Sequence, residues 1–315
     1  MVTSRWETMN LVVCNTPFQA LQIINLVAKG IITNFDFFYF CKNKTAQVEY
    51  YFEQVKKHAI SSQLYISDKR YPYHILDIRR LFKGRYYQSV YSASVDSVFT
   101  HSILSFIKFD NFYSFDDGSA NLNRNSTYYI EQRGYFKRIL FRLTGCKYDL
   151  RKTKSIIRSH YTVYKNKKNI VSNTIYIDFE FPAQCSDGRK ETNDKNSVAN
   201  VLLGTVYDEV FSDNEVIIKK LSCFFADKDF YYIPHPRDTH NFFINGMRID
   251  GPEIAESKIL SLLKRYETIN LYGFGSSVQI NMSSHRGVIN YIFDIGSHEY
   301  EYDHDYDYGY EILKI

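Results

Sequence analysis

Two adjacent carboxylates, Asp116 and Asp117, follow a short aromatic run and are the strongest candidates for chemistry in the sequence. The run, residues 111–115 (NFYSF), is bounded by a turn signal and predicts an interior strand of an α/β sheet. The carboxyl end of such a strand opens into the crevice where α/β folds bind ligands. Like charges side by side raise the pKa of one carboxyl group, which suits a general base. The alternative interpretation is an ordinary Asp-Gly turn.

Three predicted strands in the second half of the chain each end in residues that suit a phosphate group. The first ends in Gly204 and Thr205, which offer a bare backbone and a hydroxyl group. The third ends in Gly275, Ser276 and Ser277, where a glycine turn precedes two hydroxyl groups at a predicted helix start, a favourable position for an anion. Because the carboxyl ends of parallel strands share one edge of a sheet, we expect these loops to converge on one ligand.

The second of these strands ends in the sequence Pro-His-Pro-Arg, residues 234–237. His235 lies between two prolines, whose fixed φ angles hold the ring in one direction. A histidine beside a phosphate can stabilise or protonate the oxygen that departs when a glycosyl–phosphate bond breaks. Arg237 can contact an anion or pair with an acid, and Glu256, on a predicted helix, can accept hydrogen bonds from a ribose. The alternatives are a histidine that caps a turn and a glutamate that faces solvent.

The composition is that of a water-soluble α/β protein rich in aromatic residues. The chain has 315 residues, of which 44% are hydrophobic and 17% aromatic, and its mean hydropathy is −0.35. This length allows two domains. No stretch approaches the roughly 20 apolar residues that span a bilayer, and the N-terminal residues lack a secretory pattern, so we expect a cytoplasmic protein. The cysteines are scattered without metal-type pairing, so we expect no metal site.

The net charge of +4 conceals one strongly basic segment, residues 133–168. It carries twelve lysines or arginines and a single acid, Asp149. Within it, residues 135–144 (YFKRILFRLT) place basic and apolar side chains at helical spacing, a pattern typical of a helix that lies on an anionic membrane surface. Nucleic acid is not the expected partner because no recognised binding motif accompanies the charge. A solvated basic face is the other alternative.

Strands and helices alternate along the chain, which predicts parallel sheets covered on both faces. A capping box at residues 16–19, with proline at the first helical position, marks the first helix. The polar stretch 186–197 predicts a linker between domains of residues 1–185 and 198–315. The acidic, tyrosine-rich stretch 298–310 is expected to be a solvated tail. The predicted strands are 9–14, 35–40, 63–66, 86–91, 111–115, 160–164, 174–179, 200–203, 229–233, 268–272 and 288–293, and the predicted helices include 45–58, 96–107, 213–226 and 253–265.

Several motifs occur in an order that is found in a known family of enzymes. They are FDDGSANL at 115–122, HYTVY at 160–164 followed by KNI at 168–170, LLGT at 202–205, PHPRDT at 234–239 and YGFGSS at 272–277. With these motifs the chain resembles the bacterial sialyltransferases of glycosyltransferase family 52. The resemblance implies a GT-B fold, in which two Rossmann-like domains face each other across a cleft. It also implies an inverting reaction, without metal or cofactor, that moves sialic acid from CMP-sialic acid to a galactose-type hydroxyl of a lipooligosaccharide, O-antigen or capsule.

The resemblance also implies roles for individual residues. Asp116 matches the general base, and Asp117 would support it. His235 matches the histidine that assists departure of CMP, while Ser276 and Ser277 match the serines that bind the phosphate. The other substrate-binding candidates are Asn15, Ser119, Gly204, Thr205, Pro236, Arg237, Glu256 and Gly275, and three of these, Gly204, Pro236 and Glu256, fall where the family contacts cytosine and ribose.

One motif departs from the family pattern. Some members carry Leu-Phe-Asp before the interdomain linker, with its aspartate as the base, whereas residues 177–181 here are IDFEF. Either Asp178 or Glu180 fills that role, or neither does. Asp116 stays first as the base, and Glu180 is its rival. The alternative functions are transfer from another nucleotide sugar, such as a glucosyl donor, and non-catalytic binding of a glycan or nucleotide. A homodimer, and peripheral contact with the inner face of the cytoplasmic membrane through residues 133–168, are compatible with the sequence.

Overall fold

The computed structural model describes residues 9–69, 73–131, 134–179, 197–238, 246–294 and 309–315. The chain divides into two compact units, Met1–Pro182 and Ala183–Ile315, and each is built on its own parallel sheet. The predicted linker, residues 186–197, lies almost wholly outside the described residues, and its position stays a prediction.

The first unit alternates strands with helices. Its strands are β1 (Asn10–Cys14), β2 (Phe35–Cys41), β3 (Ser61–Ile66), β4 (Tyr86–Ser92), β5 (Lys108–Phe115), β6 (Ile157–Thr162) and β7 (Thr174–Tyr176). Its helices are α1 (Pro17–Ala28), α2 (Ala46–Lys56), α3 (Tyr73–Phe82), α4 (Val98–Phe106), α5 (Tyr135–Leu143) and α6 (Leu150–Ser155). The strands form a parallel sheet in the order β3-β2-β1-β4-β5-β6-β7. The order reverses beside β1, as in doubly wound α/β folds.

The second unit follows the same plan. Its strands are β8 (Val198–Leu203), β9 (Phe230–Ile233), β10 (Met247–Arg248), β11 (Thr268–Gly273), β12 (Val288–Asp294) and β13 (Tyr310–Lys314). Its helices are α7 (Tyr207–Val210), α8 (Asn214–Phe224), α9 (Ala255–Leu262) and α10 (Ser277–Met282). The strands are parallel in the order β10-β9-β8-β11-β12-β13.

Local sequence explains the elements that carry the first candidate site. The side chain of Thr16 caps α1 by accepting a hydrogen bond from the amide of Gln19 at 3.2 Å, and Pro17 begins the helix. Strand β5 is exposed at its start and buried at its end. The chain therefore reaches Asp116 from inside the sheet.

Aromatic rings fill the cores of both units. In the first unit, Phe38 packs edge-to-face on Phe82 with ring centroids 5.0 Å apart. In the second, Tyr272 stacks on Phe293 at 5.8 Å, and Phe224 meets the Phe293 ring edge-on at 5.2 Å. Such pairs add about 0.5–1.5 kcal/mol each beyond the burial of their area. Aromatic residues therefore pack against each other in the core of each unit.

The predicted alternation of strands and helices is confirmed, but the C-terminal end differs from the prediction. Residues 310–314 form β13, which pairs in parallel with β12. This pairing satisfies backbone groups that β12 would otherwise expose at the edge of the sheet. The predicted tail, residues 298–310, therefore leads into a strand, and its residues 298–308 lie outside the described residues. In the part of the chain that the structure describes, no helix is long and apolar enough to cross a bilayer.

Candidate active site

The carboxylate of Asp116 is completely buried at the end of β5. One of its oxygens lies 2.9 Å from Nε2 of His160 and accepts a hydrogen bond from Nδ2 of Asn169 at 2.8 Å. The other oxygen accepts from the backbone amide of Val163 at 2.8 Å. Nδ1 of His160 in turn lies 2.7 Å from Oγ of Ser114. Groups from β6 and the loop after it thus enclose the carboxylate.

Asp117 is the more exposed of the two acids, and two side chains hold it. Nε2 of Gln19 donates to one carboxylate oxygen at 2.5 Å, and the hydroxyl of Tyr128 donates to the other. The amide of Asp117 donates to Oδ1 of Asn121 at 2.8 Å. Burial raises the pKa of Asp117, while the hydrogen bonds from Tyr128 and Gln19 lower this pKa and offset part of the effect. A fixed carboxyl group with a raised pKa has the properties of a general base.

Gln19 connects Asp117 to the end of β1. Its Nε2 also donates to Oγ of Ser94 at 2.8 Å, and its Oε1 accepts from the amide of Asn15 at 2.9 Å. Oγ of Ser94 donates to Oδ1 of Asn15 at 2.9 Å. Asn15 and Asp117, which the sequence named separately, therefore belong to one hydrogen-bond network. Ser119, partly buried, lies in the 3₁₀ turn just after Asp117.

The structure distinguishes the two acids in a way that the sequence did not predict. An acceptor sugar can touch the carboxylate of Asp116 only if the buried bonds to His160, Asn169 and Val163 break. Asp117 is partly exposed as a residue, although both of its carboxylate oxygens also accept hydrogen bonds. Buried hydrogen bonds therefore hold Asp116 at the end of β5, whereas Asp117 is partly exposed, and the assignment of Asp116 as the general base stays a prediction.

The region named as the rival source of the base is described only in part. Glu180 lies outside the described residues. Asp178 is exposed, and its carbonyl accepts a hydrogen bond from Nδ2 of Asn25 at 3.0 Å. The ring of Phe179 packs edge-on against Phe18 at 5.9 Å. The segment just before Glu180 is therefore fixed to α1, the helix that also carries Gln19.

In the second unit, Gly204 and His235 lie at neighbouring strand ends. The amide of Gly204 donates to the carbonyl of Ile233 at 2.8 Å. A Cβ atom at position 204 would lie 2.9 Å from the backbone nitrogen of His235 and 2.7 Å from the hydroxyl of Tyr232. Only glycine permits this approach of β8 to the loop that holds the histidine. Thr205 follows and is partly buried.

His235 is partly buried and has charged neighbours. Its Nδ1 accepts a hydrogen bond from the amide of Arg237 at 3.2 Å, so Nε2 carries the proton in the neutral ring. Burial lowers the pKa of His235 and the charge of Arg237 lowers it further, whereas Asp238 and Glu209 raise it. Nη1 of Arg237 pairs with Glu209 at 2.9 Å on the surface. Pro236 is exposed. Nε2 of His235 is therefore the nitrogen that can donate to a ligand.

A buried glutamine orders the glycine–serine turn after β11. Oε1 of Gln279 accepts from the amides of Gly275 at 2.9 Å and Ser276 at 3.3 Å, and Oγ of Ser276 accepts from the amide of Gln279 at 3.4 Å. These reciprocal bonds form a capping box on α10. Oγ of Ser276 accepts in this arrangement, so its proton can still be donated to an anion. Ser277, the next residue, is exposed.

Glu256, on α9, is almost completely buried. Its Oε1 accepts a hydrogen bond from Nδ2 of Asn281 at 2.7 Å, which connects α9 to α10. Burial raises the pKa of Glu256. Glu256, which is predicted to bind a ribose, is therefore a buried acid whose charged form is disfavoured, and it does not face solvent.

Sequence reasoning missed four residues that position the two acids. His160 and Asn169 lie in motifs that carry the family resemblance, and this is a signal that could have identified them. Gln19 was assigned only to helix capping, and nothing in the sequence marks Tyr128. Among the described residues, no group of three or more His, Cys, Asp or Glu side chains is arranged to hold a metal ion.

Sequence comparison decides the family. The model of glycosyltransferase family 52 matches residues 33–295. The chain belongs to glycosyltransferase family 52. Both acids after β5 and the His-Pro and Ser-Ser motifs of this family 52 enzyme lie inside the matched region, whereas Asn15 and Gln19 precede it. The resemblance read from the sequence is confirmed.

Relatives of this family 52 chain are named as sialyltransferases. The CMP-N-acetylneuraminate:beta-galactoside alpha-2,3-sialyltransferase of Pasteurella multocida (strain Pm70) is 28% identical over 294 residues, which are 87% of each chain. An N-acetyllactosaminide alpha-2,3-sialyltransferase of Haemophilus influenzae is 31% identical over 208 residues, 64% of this chain and 63% of the relative. The GT-B domain of a sialyltransferase from Photobacterium damselae is similar in structure, with a TM-score of 0.53, 14% identity and 92% of each chain covered. That likeness shows the fold alone and confirms the expected GT-B type with its two Rossmann-like units.

Proposed function

We propose that this protein transfers sialic acid from CMP-sialic acid to a galactose-type hydroxyl group, with inversion at the anomeric carbon and without a metal ion. The names of the relatives in Pasteurella and Haemophilus support the donor, the acceptor class and an α-2,3 linkage. The observation that carries the proposal is the hydrogen-bonded Asp117, whose pKa is raised, at the carboxyl end of β5 in a family 52 chain.

The proposed reaction moves one proton and breaks one bond. The acceptor oxygen attacks the anomeric carbon of sialic acid as the bond from that carbon to the CMP phosphate breaks, and the electron pair of this bond goes to the phosphate oxygen. Asp117 takes the proton of the acceptor hydroxyl. Nε2 of His235 donates to the departing oxygen, and the hydroxyl groups of Ser276 and Ser277 bind the other phosphate oxygens. Because attack is in line, the configuration at the carbon inverts.

The remaining acids have other roles in this proposal. Asp116 holds the turn that presents Asp117, and its own carboxylate does not contact the acceptor. Glu180 remains the rival base. Glu256 accepts hydrogen bonds from the ribose, while Gly204 and Pro236 lie against the cytosine. Imidazole and hydroxyl groups supply the hydrogen bonds that the phosphate needs, and this donor set supports a reaction without metal.

We place the reaction at the inner face of the cytoplasmic membrane, on a lipooligosaccharide, O-antigen or capsule chain. The basic segment, residues 133–168, supports peripheral attachment to anionic lipid. A homodimer is a further proposal, and sedimentation of the purified protein tests it.

The decisive experiment incubates the purified protein with CMP-sialic acid and lactose, with and without EDTA, and analyses the products by mass spectrometry. We expect sialyl-lactose in both samples at equal rates. Loss of product with EDTA would refute metal independence. A folded protein that releases neither CMP nor product would refute the donor assignment, and a matching series with uridine nucleotide sugars would then identify another donor.

A further inference from the structure

Helix α5 packs one side of its surface on the first unit and exposes apolar side chains on the other. Phe141 is 3% exposed and lies in a small cluster with Ile75 and Cys146. By contrast, four apolar residues of the same helix are exposed. They are Phe136 (85%), Ile139 (41%), Leu140 (42%) and Leu143 (78%). Helix α5 therefore packs on its own unit through one apolar side and has a second apolar side that is exposed.

These exposed residues form a single stripe. Successive residues of an α-helix are turned by about 100°, so positions 136, 139, 140 and 143 fall within an arc of about 100°, centred roughly 150° away from Phe141. Arg138 and Arg142, both exposed, lie between the stripe and the buried side. An apolar stripe of this width with basic residues on its flank is the pattern of a helix that lies in a membrane interface.

The surroundings of the stripe favour an anionic lipid surface over a second copy of the chain. The exposed Lys147, Arg151 and Lys152 follow α5 in sequence, and the single acid of the segment, Asp149, has its side chain engaged as the cap of α6. Two like-charged surfaces of this kind repel each other, whereas an anionic bilayer attracts basic residues and also accepts apolar side chains.

We propose that α5 is the membrane-binding element of this protein, and that Ile139, Leu140 and Leu143 enter the interface of an anionic leaflet while Arg138 and Arg142 contact lipid headgroups. This deepens the proposed attachment by naming its residues, and only its link to glycan transfer rests on the proposed function. Burial of one leucine side chain in the interface strengthens binding about tenfold or more. Each arginine near the headgroups adds about fivefold.

Cosedimentation of the full chain with lipid vesicles tests the proposal. We expect binding to vesicles of phosphatidylcholine and phosphatidylglycerol at 3:1, weaker binding to phosphatidylcholine alone, and release as salt shortens the range of electrostatic attraction. Leu143→Gln should weaken binding about tenfold, and the pair Arg138→Gln and Arg142→Gln about 25-fold. Melting temperatures should stay at the wild-type value because these side chains are exposed.

Matched variants outside α5 provide the controls. Val216→Gln removes an apolar side chain that is 46% exposed on α8, and the pair Lys42→Gln and Lys57→Gln removes two exposed charges. Both should bind vesicles as the wild type does.

Transfer to lactose should be unchanged in Leu143→Gln, whereas transfer to a lipid-linked galactoside on the same vesicles should fall with vesicle binding. The proposal is overturned if the wild type does not prefer the anionic vesicles, if the α5 variants bind as well as the controls, or if they alter self-association instead. Inactivity of every variant and of the wild type on lactose would reject the proposed reaction but not the lipid contact.

Discussion

Replacing each acid of the pair by its amide separates anchoring from catalysis. The carboxylate of Asp116 offers two buried oxygens to groups of His160, Asn169 and Val163. The amide in Asp116→Asn offers one oxygen and turns an NH₂ group toward these donors. A buried donor without an acceptor costs about 1–3 kcal/mol. With at least one such donor and a misplaced NH₂ group, we expect the free energy of unfolding to fall by about 2–5 kcal/mol.

The substitution Asp117→Asn should have the opposite effect, with little change in stability and a large loss of kcat. In Asp117→Asn, Gln19 keeps its hydrogen bond to Ser94, and Tyr128 can accept from the new amide. Burial disfavours the charge of Asp117, so a neutral amide avoids that cost. We expect a change in stability within about 1 kcal/mol. Because a general base contributes roughly 10²–10⁴-fold to the rate, kcat should fall by that factor.

Both variants are measured in the same assays. Urea unfolding followed by circular dichroism gives the change in stability, product mass spectrometry with lactose gives turnover, and the rise in melting temperature with CMP gives nucleotide binding. Nucleotide binding should survive in Asp117→Asn. If Asp116→Asn unfolds at the wild-type urea concentration and yet loses turnover while Asp117→Asn stays active, the anchoring role is wrong and the order from the sequence is right. Full turnover in both variants would move the base to Glu180.

Three further predictions concern single contacts. The variant Tyr128→Phe lacks the hydrogen bond that lowers the pKa of Asp117, so the acid limb of its kcat/KM profile should move to higher pH. An unmoved acid limb with a lower kcat at every pH would mean that Tyr128 contributes only packing. Glu256→Gln should weaken CMP binding roughly 10–100-fold by calorimetry. Because burial raises the pKa of Glu256 above its value in the unfolded chain, the wild type loses stability as the pH rises between these two pKa values. Above this pH window the melting temperature of Glu256→Gln should equal or exceed that of the wild type. A lower melting temperature would contradict the cost of burial. Gly204→Ala should cost about 1–3 kcal/mol of stability and weaken CMP binding, because its Cβ would lie 2.9 Å from backbone. The control Gly134→Ala has open space around its Cβ, so it should lose only the preference for glycine at the N-cap of α5, about 1 kcal/mol or less, and leave CMP binding unchanged.

Prediction from sequence succeeded where the signal is local. The alternation of apolar runs and amphipathic stretches placed most strands and helices, because periodicity is set by the face that each element buries. It failed at β13, since residues 310–314 join the sheet only by pairing with β12, and no short turn specifies that distant partner. The same limit applies to β10, a strand of two residues that exists only beside β9.

The distinction between the acids could not be predicted for a related reason. Asp116 and Asp117 are adjacent and chemically identical, so composition and spacing treat them alike. Their environments come from His160 and Asn169, which lie 44 and 53 positions away from Asp116, and from Gln19, 98 positions from Asp117. Solvent access is thus set by residues that only the fold brings together.

Gln19 shows how a local signal can be correct and still hide a functional role. The sequence predicted a capping box at residues 16–19, and the side chain of Thr16 does accept from the amide of Gln19. The reciprocal half is not made with Thr16, because Oε1 of Gln19 accepts from the amide of Asn15 and its Nε2 donates to Ser94 and Asp117. In α10, where a capping box does form, Gln279 makes the reciprocal bond to the cap residue. A side chain that bonds to a distant carboxylate and not to its local partner breaks a local rule, and such exceptions are expected at functional sites. The departure of Gln19 from its own helix start therefore supports the proposed role of Asp117.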